Sequence, residues 1–119
     1  MTVQECYEAF SGNYEEVVSR LRTDERIVKF LSRVVSDGSY QLLLDSIASG
    51  NVDEAFRAAH TLKGVCMNLS ITKFAESSSA LTEVLREKRE INDEVMSLLE
   101  QVKADYALTI NSIKQLLEQ

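Results

Sequence analysis

The sequence predicts an all-α fold: an antiparallel up-down-up-down four-helix bundle preceded by short N-terminal helical segments. Three observations predict it. The 119 residues contain no proline and four glycines, so breakers are few, while the better helix formers are abundant. Apolar residues recur at three- and four-residue steps along most of the chain, the spacing of one helix face. Five of the segments so defined open on Thr or Asn, which cap helices, and the links between segments are short, which favours antiparallel neighbours. A hydrophobic content of 45% supplies enough apolar surface for one core. The expectation is a single domain over 1–119, with 1–22 as cap segments and 23–119 as the bundle.

Taken in order, Thr2-Val3-Gln4-Glu5 is a capping box, and a short helix is expected from it to about Phe10. Ser11-Gly12-Asn13 interrupts that helix, and Asn13 opens a second short piece bearing Val17, Val18 and Leu21. Thr23 caps a longer segment with Ile27, Phe30, Leu31, Val34 and Val35 in helical register, and Asp37-Gly38-Ser39 is a bend or break in it. Tyr40, Leu43, Leu44 and Ile47 resume the stripe until Gly50, which suits a left-handed helix end. Asn51 starts the next helix, with Asp53 and Glu54 complementing the dipole of its first turn. Beyond Ser70, Phe74, Ala75, Ser78, Leu81, Val84 and Leu85 mark another amphipathic helix, whose small residues Ser77 to Ala80 permit close packing. Glu87 to Glu90 is a solvated end. Asn92 caps a last long helix through Val95, Leu98, Leu99, Val102, Tyr106, Leu108, Ile110, Ile113 and Leu117.

The helix from Asn51 to Leu69 carries the only histidine. Its core face is Val52, Ala55, Phe56, Ala59, Leu62, Cys66 and Leu69, with Phe56 at its edge. At about 100° per residue, His60 falls away from that stripe and is expected to reach solvent, with Gly64 and Met67 close to its direction and Arg57 and Lys63 on its flanks. A lone histidine on a helix is ordinarily a plain surface residue. Gly64 changes the reading, because glycine inside a helix costs about 1 kcal/mol relative to alanine and nothing local asks for a break. A missing side chain one turn beyond an exposed imidazole lets another molecule come close, and Lys63 offers a cation on a flexible stem.

His60-Thr61-Leu62-Lys63-Gly64 resembles the His-x-Leu-Lys-Gly signature of histidine-containing phosphotransfer (HPt) domains, and the stretch from about Arg26 to Arg89 is similar to that family throughout. The resemblance implies a helical bundle whose exposed histidine accepts a phosphoryl group from an aspartate of a response-regulator receiver domain, or passes one to it. His60 would be the phosphoacceptor and Lys63 the stabiliser of phosphoryl oxygens, with Gly64, Arg57 and Met67 on the partner-binding surface. Receivers, and a hybrid sensor kinase as a further partner, are what it implies. The direction of phosphoryl flow stays open. One departure is visible, for the family usually places a glycine where Ser70 stands.

Other chemistries fit less well. A di-iron bundle needs Glu-x-x-His pairs, but Arg57 stands three before His60 and there is no second histidine, so no metal site is expected. Cys66 lies six positions from His60 on the opposite helix face, which disfavours a Cys-His pair. No nucleotide-binding glycine pattern occurs, so the chain reads as a phosphoryl carrier rather than a kinase, without a cofactor of its own and with the magnesium of such transfers on the receiver. The net charge of −6 and the lack of a basic stripe disfavour nucleic acid. Neither a signal peptide nor an apolar run of about 18 residues is read, so a cytoplasmic protein with reduced thiols and no membrane contact is expected. The alternative function is a helical scaffold that binds a receiver or other signalling partner without being phosphorylated. Such a scaffold has no physical reason to carry His60, Lys63 and Gly64 together.

Overall fold

In the computed structural model, which describes residues 1–119, this periodicity becomes seven helices and no strand. They are α1 (Val3–Ala9), α2 (Tyr14–Leu21), α3 (Asp24–Ser36), α4 (Ser39–Ala48), α5 (Val52–Asn68), α6 (Thr72–Lys88) and α7 (Asp93–Leu117). The Asp37-Gly38 break is complete, so the first arm of the expected bundle is two helices: α3 packs against α7 and α4 against α5. The arms α5, α6 and α7 pack in sequence order through short links. The cap segments sit on the bundle, α1 against α7 and α2 against α3.

Five helix starts use the caps that the sequence offers. The side chains of Thr2, Asn13, Thr23, Asn51 and Asn92 each accept from the backbone N–H three residues on, filling one of the donors a helix start leaves open. At α1 the box is reciprocal: Glu5 N–H donates to Thr2 Oγ1 at 3.1 Å, and Thr2 N–H donates to Glu5 Oε1 at 2.8 Å.

Three helix ends share one closing geometry. After α4, Gly50 at φ +74° lets Asn51 N–H reach Ser46 O at 2.8 Å, as a glycine terminator does. The other two ends use serine instead. Ser11 (φ 58°) closes α1 with Gly12 N–H on Tyr7 O at 2.8 Å, and Ser70 (φ 54°) closes α5 with Ile71 N–H on Cys66 O at 2.9 Å. A side chain in this left-handed region costs about 1 kcal/mol. Ser70 offsets part of it, since its Oγ donates to Glu16 Oε1 at 2.7 Å. The turn therefore keeps the shape a glycine would give it. Gly12 is needed for a different reason: a Cβ there would stand 2.6 Å from Phe10 Cε1 and 2.8 Å from Ser70 O.

One cluster of 26 buried residues draws on all seven helices, with Tyr7, Phe10, Phe74 and Ile27 among its largest members. Phe30 and Tyr40, expected as core aromatics, are half-buried against it, and Tyr40 stacks on Tyr106 at 3.6 Å. On α7 the expected stripe needs correcting, because Leu108 and Leu117 are exposed at 39% and 38% while Asp105, Thr109, Ser112 and Leu116 are buried. Ser112 can go inside because its Oγ donates to Leu108 O of its own helix at 2.8 Å. Asp105 faces Lys73 Nζ at 3.7 Å and accepts from Gln101 at 3.1 Å, which ties α7 to α6.

Burial pushes the Cys6 thiol up to about 11 and the Cys66 thiol up to about 12, and it raises the Tyr7 hydroxyl as well. Unfolded, the thiols would ionise near their ordinary value of 9.0. The folded state thus holds protons that the unfolded chain releases above that pH, so stability is full below about 9 and falls as pH rises toward 12. Denaturant midpoints at pH 8, 10 and 11 should decline in that order, and native thiols should resist a thiol reagent at pH 8. A midpoint unchanged up to pH 11 would contradict the burial of these groups.

Candidate functional site

The histidine helix α5 is fixed at both ends. At its start, Asn51 Oδ1 accepts from Glu54 N–H at 3.1 Å, with Asp53 and Glu54 in the first turn. At its end the last carbonyls would lack partners. Arg20 on α2 reaches across to them, donating from Nη1 to Met67 O at 2.7 Å and to Asn68 O at 3.0 Å, while its Nη2 pairs with Glu16 at 2.9 Å. Tyr7 on α1 donates its hydroxyl to Leu69 O at 2.7 Å, and Asn13 N–H donates to Ser70 O at 2.9 Å. The sequence alone suggested no task for the N-terminal segments beyond filling the core. In the structure they also clamp the far end of the histidine helix.

Along α5 the buried face is Ala55, Ala58, Ala59, Leu62, Cys66 and Leu69. Ala58 joins it unexpectedly, and Val52 and Phe56 lie at its half-buried edge. His60 is exposed, as are Arg57, Thr61 and Met67, whereas Lys63 and Gly64 are half-buried. Three small alanines beneath His60 let α5 lie close to its neighbours α4 and α6 without lifting the imidazole off the surface.

Gly64 is helical with no positive φ, and a Cβ built on it would meet nothing within 4 Å. The missing side chain therefore serves neither a strained backbone nor a close helix contact. Lys63 enters no ion pair, and Arg57 pairs only with Glu54 on its own helix, at 2.6 Å. His60 accepts and donates no hydrogen bond within the chain, so its ring nitrogens are open to an incoming group. Cys66 is fully buried on the other side of the helix. No group of three or more histidine, cysteine or carboxylate side chains gathers in a metal-holding arrangement.

One neighbour was missed in the sequence. The imidazole stands 5.9 Å from the Phe56 ring, and the guanidinium of Arg86, from α6, lies 5.4 Å from the centroid of that same Phe56 ring. Phe56, Arg57, His60, Thr61 and Arg86 together line a shallow recess of about 330 Å³. Arg86 follows the buried Leu85, so the α6 periodicity places it on a flank, but which flank faces His60 depends on how α6 packs on α5.

The arrangement presents an unencumbered imidazole, an unpaired lysine and open helix surface one turn beyond, with arginines around the preceding turn. No curated protein and no solved structure matches the chain. A family model, described as Hpt domain, matches residues 8–119. That is nearly the whole chain, and with the helical bundle and the exposed histidine it shows that this protein belongs to the Hpt domain family, the histidine phosphotransfer domains of two-component signalling.

Proposed function

We propose that this chain exchanges a phosphoryl group between His60 and an aspartate of response-regulator receiver domains, as one carrier in a phosphorelay. The observation that carries the reading is the pairing of an exposed, unbonded His60 with a Gly64 that has open space around it. In the transfer, the outward ring nitrogen attacks phosphorus, the acyl-phosphate P–O bond breaks, and its electron pair stays on the aspartate carboxylate. The other ring nitrogen keeps its proton. Imidazole suits this because its neutral form offers a ring-nitrogen lone pair without a dedicated base. Lys63 neutralises charge on the phosphoryl oxygens, Arg57 and Met67 meet the partner beside Gly64, and the magnesium ion belongs to the receiver. The chain is in this reading a carrier with no cofactor of its own, working in the cytoplasm; no helix is long and apolar enough to cross a membrane.

Incubation with a panel of phosphorylated receivers tests this. Acid-labile, base-stable phosphate should appear on the chain and map to His60, and its absence with every receiver and with phosphoramidate would overturn the proposal. For Lys63→Ala, transfer should slow by about tenfold with the melting temperature unchanged, since one cation leaves the transition state and the nucleophile remains. Transfer at the wild-type rate would remove Lys63 from the site.

A further inference from the structure

We infer that Arg20, on α2, is a positioning residue for receiver transfer: it holds the last turn of α5, and with it Met67, as a fixed docking point two turns beyond His60. The inference rests on the receiver-transfer reading of His60. Seven residues of helix bring Met67 back to within about 20° of the direction of His60 and about 10 Å further along the axis. Its side chain is 53% exposed and leans back over the turn that holds Lys63 and Gly64. A partner that reaches His60 across Gly64 therefore rests on Met67 next.

That turn has little support from α5 itself or from α6. The last turn of α5 carries no basic side chain to offset the negative end of the helix dipole. On its α6 side Met67 borders a groove of about 670 Å³, where α6 presents the short side chains of Ala75, Ser79 and Ala80. Arg20 supplies the missing cation and a brace. Its Nη1 donates to Met67 O at 2.7 Å and to Asn68 O at 3.0 Å, bonds that the charge on the donor strengthens. Glu16, one turn earlier on α2, aims the guanidinium fork, for its Oε1 accepts from Arg20 Nη2 at 2.9 Å and from Ser70 Oγ at 2.7 Å. The guanidinium is thus tied to the turn that follows α5 as well as to the last carbonyls of the helix. Tyr7 and Asn13 hold Leu69 O and Ser70 O, beyond the helix end, whereas Arg20 bonds the carbonyl of Met67 itself.

The test uses the full chain with two donors: the phosphorylated receiver that transfers fastest in the panel, and phosphoramidate, a small donor that needs no docking surface. Wild type, Arg20→Ala, Arg20→Lys, Met67→Ala and the double variant of the two alanine substitutions are compared. In Arg20→Ala the receiver concentration that half-saturates transfer should rise about fivefold with the limiting rate within about twofold, because docking is weakened and the reacting groups are untouched. Uptake from phosphoramidate should match wild type, since Arg20 takes no part in the recess at His60. Arg20→Lys should recover part of the loss, its ammonium reaching the carbonyls without the fork. Met67→Ala should raise the half-saturating concentration by a similar factor, and the double variant no further than the larger single one, since both substitutions remove the same docking point. Wild-type half-saturation in Arg20→Ala, or a double variant whose loss is the product of the two single losses, overturns this inference alone. An equal loss with phosphoramidate overturns it too, by marking Arg20 as a purely structural support of α5. A wild type phosphorylated by phosphoramidate but by no receiver leaves Arg20 no docking to serve and overturns the inference, and one that takes up no phosphoryl group from either donor overturns the transfer reading with it.

Discussion

His60→Gln is expected to abolish phosphoryl acceptance while leaving the fold intact. Glutamine keeps a polar, flexible side chain at an exposed position and is a somewhat better helix former than histidine. His60 makes no hydrogen bond or ion pair, and its one notable neighbour is the Phe56 ring at 5.9 Å, so the stability change should stay within about 0.5 kcal/mol. No other group can take over as nucleophile. Cys66 is fully buried on the opposite face, with its thiol pushed up to about 12, and Thr61, though exposed, has no base beside it to activate its hydroxyl. Labelling from a phosphorylated receiver should therefore fall to background, with circular dichroism and the melting temperature unchanged. Retained acid-labile phosphate would place the acceptor elsewhere. A large fall in melting temperature would mean that the imidazole holds the fold together, contrary to its exposure.

How much of this was legible in the sequence divides along a physical line. Features decided within one helical turn could be read directly: the five side-chain caps, the left-handed Gly50 and the solvent side of α5 all follow from local hydrogen bonding and the 3.6-residue period. Features decided by a neighbouring element could not. Arg86 meets Phe56 only because α6 packs on α5 at one particular rotation, and Arg20 finds the last carbonyls of α5 only because α2 folds back over them. The α7 stripe was misread for a related reason. Hydropathy favours Leu108 over Ser112, yet the Ser112 hydroxyl, bonded to its own helix backbone, buries at little cost, and the leucine turned outward then stays in water.

Ser70 shows both sides of that line. Its replacement of the family's glycine was visible, and what the turn would do was not, since the compensating partner, Glu16, lies on another helix. The left-handed turn survives because the chain brings Glu16, Asn13 and Tyr7 to the end of α5, and these contacts also hold in place the helix that carries His60. The N-terminal segments thus bear on function through position alone, with no side chain of theirs in the recess at His60.

Gly64 separates stability from transfer more sharply than any other position. With nothing within 4 Å of a Cβ placed there and no positive φ, Gly64→Ala should raise stability by up to about 1 kcal/mol, and Gly64→Gln should keep most of that gain. Both proteins should fold and melt at or above the wild-type temperature. Transfer from a receiver should nevertheless fall, by about tenfold for alanine and about a hundredfold for glutamine, because the aspartyl phosphate must come within bonding distance of His60 and a small misplacement of reacting atoms is costly. A side chain one turn along the same face fills space that the partner's loops need. Phosphoramidate, which docks on no surface, should phosphorylate His60 in both variants at close to the wild-type rate. Equal losses with the small donor and with receivers would show that glycine acts on the imidazole itself rather than on the approach. Destabilisation by both substitutions would contradict the open space seen around Gly64, and with it the argument that this glycine is kept for a partner's sake.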